Sequence, residues 1–267
     1  NLTGIFRLQE HLDRLSYSAK SLGIQIPYSH KKLTTDLHEL INLNKIKSGY
    51  IRILAHYGYG SLRVNPEGLP IEMSMAVFPL NDFLPHKEVN VKTSEYIRIH
   101  PKSTIADAKI CGHYSNSILA NLALKNTEYD EILFLDANNN IAEGAAQNIF
   151  FIKNKTIYTP SLGNILSGIT RDSIIKIAKT LGYKVIIKNC NLSELKQADE
   201  AFFTGTAVEI TPIKKIDNCI FKKHLNPEFS ITSQLKNYYQ KAVRGECNSI
   251  NNKIKKWISI NKKIILA

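Results

Sequence analysis

The sequence predicts a mixed α+β fold, and three observations carry that prediction. Helical periodicity opens the chain and returns strongly near residue 170. Between and after these helices lie short runs rich in β-branched and aromatic residues, separated by polar turns. Neither a G-x-G-x-x-G fingerprint nor a P-loop is present. Strands joined mostly by hairpins, with helices packed on them, fit α+β better than a doubly wound parallel sheet.

In chain order, Leu8, Leu12, Leu15, Ala19 and Leu22 recur at spacings of three and four, and Gly23 is placed to end the helix. "TTDLHELINLNK" predicts a second helix with Thr34 or Thr35 as its cap. "GYIRILAHYGYG" and "PIEMSMAVFPL" read as strands, followed by the turn-rich connector "NDFLPHKE". A boundary there gives a small domain over 1–80, a connector over 81–88 and a larger domain over 89–267. The larger part is expected to open on a strand at "EYIRIHP" and to continue with a helix from Tyr114 to Leu124, Ile118 and Leu122 sharing a face. Two or three strands fill "EILFLDANNNIAEGAAQNIFFIKNKTIYTP". A helix at "GITRDSIIKIAKTLG" follows, with Thr170 as N-cap and Gly182 after its end; "YKVIIKN" and "EAFFTGTAVEITPI" add strands.

The bulk properties restrict function. Of 267 residues, 43% are hydrophobic and 22% charged, as in ordinary globular proteins. No apolar run approaches the roughly 20 residues of a membrane span, and "NLTGIFRLQEH" lacks the character of a signal peptide. A net charge of +12 invites a nucleic-acid partner, but the lysines are scattered and not interleaved with aromatics, so no nucleic acid is expected. Cys111, Cys190, Cys219 and Cys247 show no ligand spacing, which points to reduced thiols, a cytoplasmic setting and no metal.

A few residues offer chemistry. "LSGIT" enters a strong helix, so Gly168, the first helical N–H groups and the Thr170 hydroxyl form a ready anion site, or simply a capped helix. "TGTA", Thr204–Ala207, is a hairpin tip or a second set of donors for an anion. Glu143, beside small residues, is a solvated turn carboxylate or a buried one that requires a cation. Lys109, in "IADAKICGHYSNS", is one more surface charge or a reacting amine. Taken together, a phosphate cradle, a carboxylate for a ring nitrogen and a lysine match the needs of pyridoxal phosphate.

The order of these segments resembles the class IV, fold-type IV aminotransferases, most of all the branched-chain amino acid aminotransferases. "FRLQEHLDRL", "GYIR", "GYGSL", "RIHPKSTIADAKICGHYSNSILA", "LFLDANNNIAEGAAQNIFFI", "TPSLGNILSGITRDSI" and "ADEAFFTGTAVEITPI" carry the likeness across nearly the whole chain. The resemblance implies a small α/β lobe, a larger lobe with a barrel-like sheet and flanking helices, and pyridoxal 5′-phosphate as cofactor. It implies Lys109 as the Schiff-base lysine and later acid–base, Glu143 as partner of the ring nitrogen, and Tyr114 as partner of the phenolic oxygen. Arg14, Leu166, Gly168, Ile169, Thr170 and Thr206 are implied for the phosphate end of the cofactor site. Tyr50, Arg52, Thr206 and Ala207 are implied for the substrate carboxylate, and Leu62 and Val64 for substrate binding.

The reaction implied is transamination of Leu, Ile or Val with 2-oxoglutarate, giving 2-oxo acids and glutamate, by a homodimer or higher homo-oligomer. A D-amino acid aminotransferase or an aminodeoxychorismate lyase shares the same machinery, and a non-catalytic basic binding protein is the alternative from another class. Three departures from the family pattern stand out. Its strand-rich segment before "FRL" is missing from this sequence, Arg63 stands where Gly is usual, and Gln147 stands where Glu is common.

Overall fold

The computed structural model describes residues 4–79, 88–221, 230–246 and 257–260. It divides into two compact units, one of residues 1–83 with 256–267 and the other of residues 84–255. The expected connector falls almost wholly outside the described residues.

In the first unit, β1 (Gly4–Phe6) leads into α1 (Leu8–Ser21) and α2 (His30–Leu43). Leu8 and Leu12 of α1 meet Leu33 and Leu37 of α2, all at most 5% exposed. The hairpin of β2 (Tyr50–Tyr57) and β3 (Ile71–Phe78) supplies Ile51, Ile53, Met73 and Met75 to the same core, because alternate residues of a strand share a face. Gly23 has φ +75°, the left-handed conformation that ends α1 at low steric cost. The cap of α2 is not Thr34 or Thr35: the helix begins a turn earlier, where the Ser29 hydroxyl accepts from the Lys32 N–H. Strand β13 (Ile258–Ile260) pairs antiparallel with β1, so this late segment returns to the first unit, although the sequence division grouped it with 89–267.

The second unit is built on β4 (Val89–Thr93), β5 (Glu131–Leu135), β6 (Ile141–Gly144), β7 (Asn148–Lys153), β10 (Glu200–Gly205) and β11 (Glu209–Ile216). These pair in the order β10-β11-β4-β5-β6-β7, and β7 pairs back to β10, which closes a six-stranded barrel. Closure removes free edges. Strands β8 (Thr156–Thr159) and β9 (Val185–Ile187) extend from β7, and β12 (Cys219–Ile220) from β11.

Successive residues of the barrel strands enter different cores. Leu133, Ile149, Phe151, Ala201, Phe203 and Ile213 share one. Ile132 and Phe134 pack with Ala120 of α3 (Tyr114–Leu122) and with Ala142 and Ile165. Phe150 and Phe202 stack at 5.1 Å. Both faces are covered, so the strands read as unbroken apolar runs such as "NIFFI". Full burial of each such side chain stabilises by roughly 1.5–3 kcal/mol.

Three further expectations are corrected here. "EYIRIHP" is not a strand; β4 lies just before it, and the segment is tied to β5 through Ser94 N–H to Leu133 O and Arg98 N–H to Leu135 O. Ile118 and Leu122 do share a face of α3, but at 61% and 64% exposure it points outward, while Ser117 and Ala120 are buried. Helix α4 (Ile169–Thr180) is capped by Gly168, not by Thr170, which lies within its first turn.

The sequence reading passed over α5 (Leu192–Lys196) and α6 (Ile231–Val243). The N-terminus of α6 is held by buried Glu200 of β10, which accepts from the Ser230 hydroxyl at 2.7 Å and from the N–H groups of Ile231 and Thr232.

Candidate active site

Lys109 and Tyr114 are joined first by local structure. A 3-10 turn, Cys111–His113, separates the lysine from the start of α3, and this turn brings Tyr114 back to it. Lys109 Nζ donates to the Tyr114 hydroxyl at 2.6 Å and lies 5.2 Å from the centre of the same ring. Lys109 is exposed and Tyr114 half-buried, so the amine is held but reachable.

Glu143 is the opposite case: 5% exposed, at the end of β6, directly across from Asn148 on β7. It is not a solvated turn carboxylate. Its Oε1 accepts from Arg98 Nε at 2.6 Å, and its Oε2 from Asn148 Nδ2 at 2.9 Å. The Leu166 N–H reaches both oxygens at 3.2 Å. Burial pushes the carboxyl above the usual range, against the pull of the Arg98 guanidinium and these donors. Lys109 is near enough to act on it electrostatically. A buried carboxylate so supplied with donors is a strong acceptor for one more N–H.

Arg98 and Asn148 are the members that sequence reasoning passed over. Arg98 is 11% exposed and also donates from Nη2 to the carbonyl of Ala106, three residues before Lys109. One guanidinium therefore ties the lysine loop to the carboxylate. Asn148 also donates to the Leu166 carbonyl, linking β7 to the segment before α4. The available signal was a buried carboxylate's need for a cation, but "RIHP" gave no indication that its arginine would be the one.

That segment explains Gly168. Its φ of −69° is ordinary, so what it supplies is space: a Cβ there would collide with Oδ1 of Asn148. Helix α4 begins behind it without a side-chain cap, Ile169 and Thr170 being buried in its first turn. Buried Arg171 brings a cation to the same end, donating to Thr159 Oγ1 at 3.2 Å and to the Pro160 carbonyl at 2.8 Å. Thr206 is exposed and Ala207 half-buried in the turn after β10, two residues beyond Thr204, whose buried hydroxyl has no hydrogen-bond partner.

Lys109, Tyr114, Glu143, Leu166, Gly168, Ile169, Thr170, Thr206 and Ala207 thus belong to the barrel unit, while Arg14, Tyr50, Arg52, Leu62 and Val64 belong to the other. There, Arg14 is half-buried on α1, and the guanidinium of Arg52 lies over the Tyr50 ring at 5.7 Å. Leu62 and Val64 are fully exposed in the loop between β2 and β3.

The donor set fits pyridoxal phosphate: a held but exposed amine, a buried carboxylate with spare acceptor capacity, and a helix N-terminus opened by glycine. Among the described residues, no cluster of His, Cys, Asp or Glu could hold a metal ion.

Comparison with known proteins agrees with this geometry. Residues 2–216 match the family model described as amino-transferase class IV. A branched-chain-amino-acid aminotransferase of Pseudomonas aeruginosa is 37% identical over 219 residues, which is 80% of this chain and 71% of the relative. The crystal structure of a branched-chain aminotransferase from Thermoproteus uzoniensis with norvaline superposes with a TM-score of 0.89. It is 33% identical, and the match covers 96% of this chain and 84% of that one. The branched-chain amino acid aminotransferase from Thermobaculum terrenum, in its PLP-bound holo-form, gives a TM-score of 0.88 at 28% identity, covering 96% and 83%.

Proposed function

Because this chain belongs to the class IV aminotransferases, we propose that its barrel unit uses Lys109 and Glu143 to transaminate branched-chain L-amino acids. The reaction is pyridoxal phosphate-dependent, with Leu, Ile and Val as donors and 2-oxoglutarate as acceptor. The observation that carries the assignment is the pairing of an accessible amine held by Tyr114 with a buried carboxylate held by Arg98.

Pyridoxal phosphate, when bound, supplies an aldehyde that captures the amino group and a ring that accepts the electron pair released at Cα. The chain's own residues do the rest. Lys109 Nζ would take the proton from the substrate Cα and deliver it to the carbon that carried the aldehyde, with Tyr114 as its hydrogen-bond partner. Glu143 holds a proton on the ring nitrogen, and its burial favours a proton shared there over one released to water. Gly168, Ile169, Thr170 and Thr206, with Arg14, hold the phosphate, while Leu166 lies at the cofactor's ring end through its bond to Glu143. Tyr50 and Arg52, with Thr206 and Ala207, hold the substrate carboxylate, while Leu62 and Val64 contact its side chain. The working form is a homodimer or higher homo-oligomer in the cytoplasm. Free thiols at Cys111, Cys190 and Cys219 support that compartment. Among the described residues, no helix is long and apolar enough to cross a membrane.

Borohydride reduction of the loaded protein should attach the cofactor to Lys109, as peptide mapping would read. Lys109→Ala should lose turnover by on the order of 10⁴-fold. Leucine, isoleucine and valine should outperform D-alanine and aminodeoxychorismate as substrates. A preference for D-alanine would move the chain to the D-amino acid reading.

A further inference from the structure

Lys109 lies in an irregular loop, so something other than a helix or strand must hold it. The loop's ends are joined directly: Thr104 Oγ1 and His113 Nε2 are 2.7 Å apart. His113 is 8% exposed and Thr104 half-buried, so water competes little for this bond. Within the loop, Ala106 and Ala108 are each 2% exposed, the Ala108 N–H donates to the Ile105 carbonyl, and Arg98 holds the Ala106 carbonyl. On the far side, the His113 N–H donates to the Ile110 carbonyl, and the next residue is Tyr114.

We infer that the Thr104–His113 hydrogen bond is a clamp that positions Lys109 against Tyr114, fixing both the span of the loop and the start of α3. His113 is thus a positioning residue, acting through the loop without touching substrate. The inference rests on Lys109 being the reacting amine. Burial first, and then the Arg98 cation, lower the imidazole's affinity for a proton, against a smaller pull from the Ala108 backbone, and Arg98 is the charged group that bears on it. A small loss of alignment at a proton-transferring amine costs rate before it costs binding.

The test uses the loaded enzyme with Thr104→Val, which removes the hydroxyl at constant shape, and Thr104→Ser, which keeps it. Thr104→Val should lower kcat about tenfold, with KM for leucine changed less than about twofold. It should also move the pH midpoint of the cofactor's visible absorbance by about half a unit or more. Thr104→Ser should stay near wild type in both. His113→Phe should reproduce Thr104→Val, and the double variant should be no worse than either single one. Wild-type kcat and midpoint in Thr104→Val would overturn the clamp. So would equal losses in Val and Ser, additive losses in the double variant, or a change confined to the melting temperature of the cofactor-free protein. If the wild-type protein takes up no pyridoxal phosphate at Lys109, the underlying assignment falls and the clamp with it. Uptake with an indifferent Thr104→Val removes the clamp alone.

Discussion

Arg98 donates to Glu143 through Nε at 2.6 Å, and both side chains are almost completely buried. The arginine comes from the segment after β4 and the carboxylate from β6, so this ion pair ties that segment to the barrel wall. Removing the cation alone leaves a buried carboxylate without its charge partner. Arg98→Leu should therefore cost about 3–5 kcal/mol in chemical unfolding, and the pair Arg98→Leu/Glu143→Gln should recover more than about 1 kcal/mol of it. A cycle completed with Glu143→Gln alone in which the two single losses add would show that the pair is not coupled.

Tyr114 offers Lys109 both a hydroxyl and a ring face. Tyr114→Phe keeps the ring and removes the hydroxyl, so it separates the two. Turnover should fall roughly ten- to a hundredfold, the value of a charge-assisted hydrogen bond, with the pH profile of kcat/KM displaced. An unchanged profile would assign the contact to packing.

Two buried histidines set an acid limit on stability. His38 of α2 and His113 both have proton affinities lowered from the ordinary 6.5 by burial. Below that value the unfolded chain takes up protons that the folded chain refuses, so stability is full above it and falls as pH drops toward the folded values. Urea unfolding at a series of pH values between about 7.5 and 5.5 should show this decline, and His38→Gln should reduce its slope.

Gln147 lies in the turn between β6 and β7. Its Nε2 donates to Glu131 Oε2 at 2.7 Å, in a pair with both residues at most 5% exposed. Burial already pushes the Glu131 carboxyl above the usual range. Gln147→Glu replaces the donor with a second acid, and the two can then coexist only by sharing a proton. The variant should lose about 1–3 kcal/mol at neutral pH. A raised carboxyl pKa makes stability full at low pH and progressively lost as pH rises, so the deficit should shrink on acidification. A pH-independent deficit would rule out proton sharing.

Where one segment was enough, the sequence placed some features and missed others, such as the Ser29 cap of α2. The spacing of Leu8, Leu12 and Leu15 specified α1, and Gly23 its end, because both are properties of a single helical turn. Most strands of the barrel, though not β4, and Lys109, Tyr114 and Glu143 as candidates, were legible through local pattern and through the order of motifs. Helix α6 was missed although Ser230 caps it locally through the Ser233 N–H; what the chain could not show is that Glu200, some 30 positions earlier, also holds its start.

What only the tertiary structure decided is which groups face each other across the barrel. Glu143 by itself reads as a turn carboxylate or as a buried one. The closing of β7 on β10, the approach of Asn148 to Gly168 and the turn of Arg98 toward Ala106 remove water from it. The same holds for Lys109, whose one-dimensional setting is that of any surface lysine until the 3-10 turn returns Tyr114 to its amine. Residue identity supplies the capacity for acid–base and charge interactions. Burial and distance, which no linear pattern contains, determine whether that capacity is spent on water or on a partner.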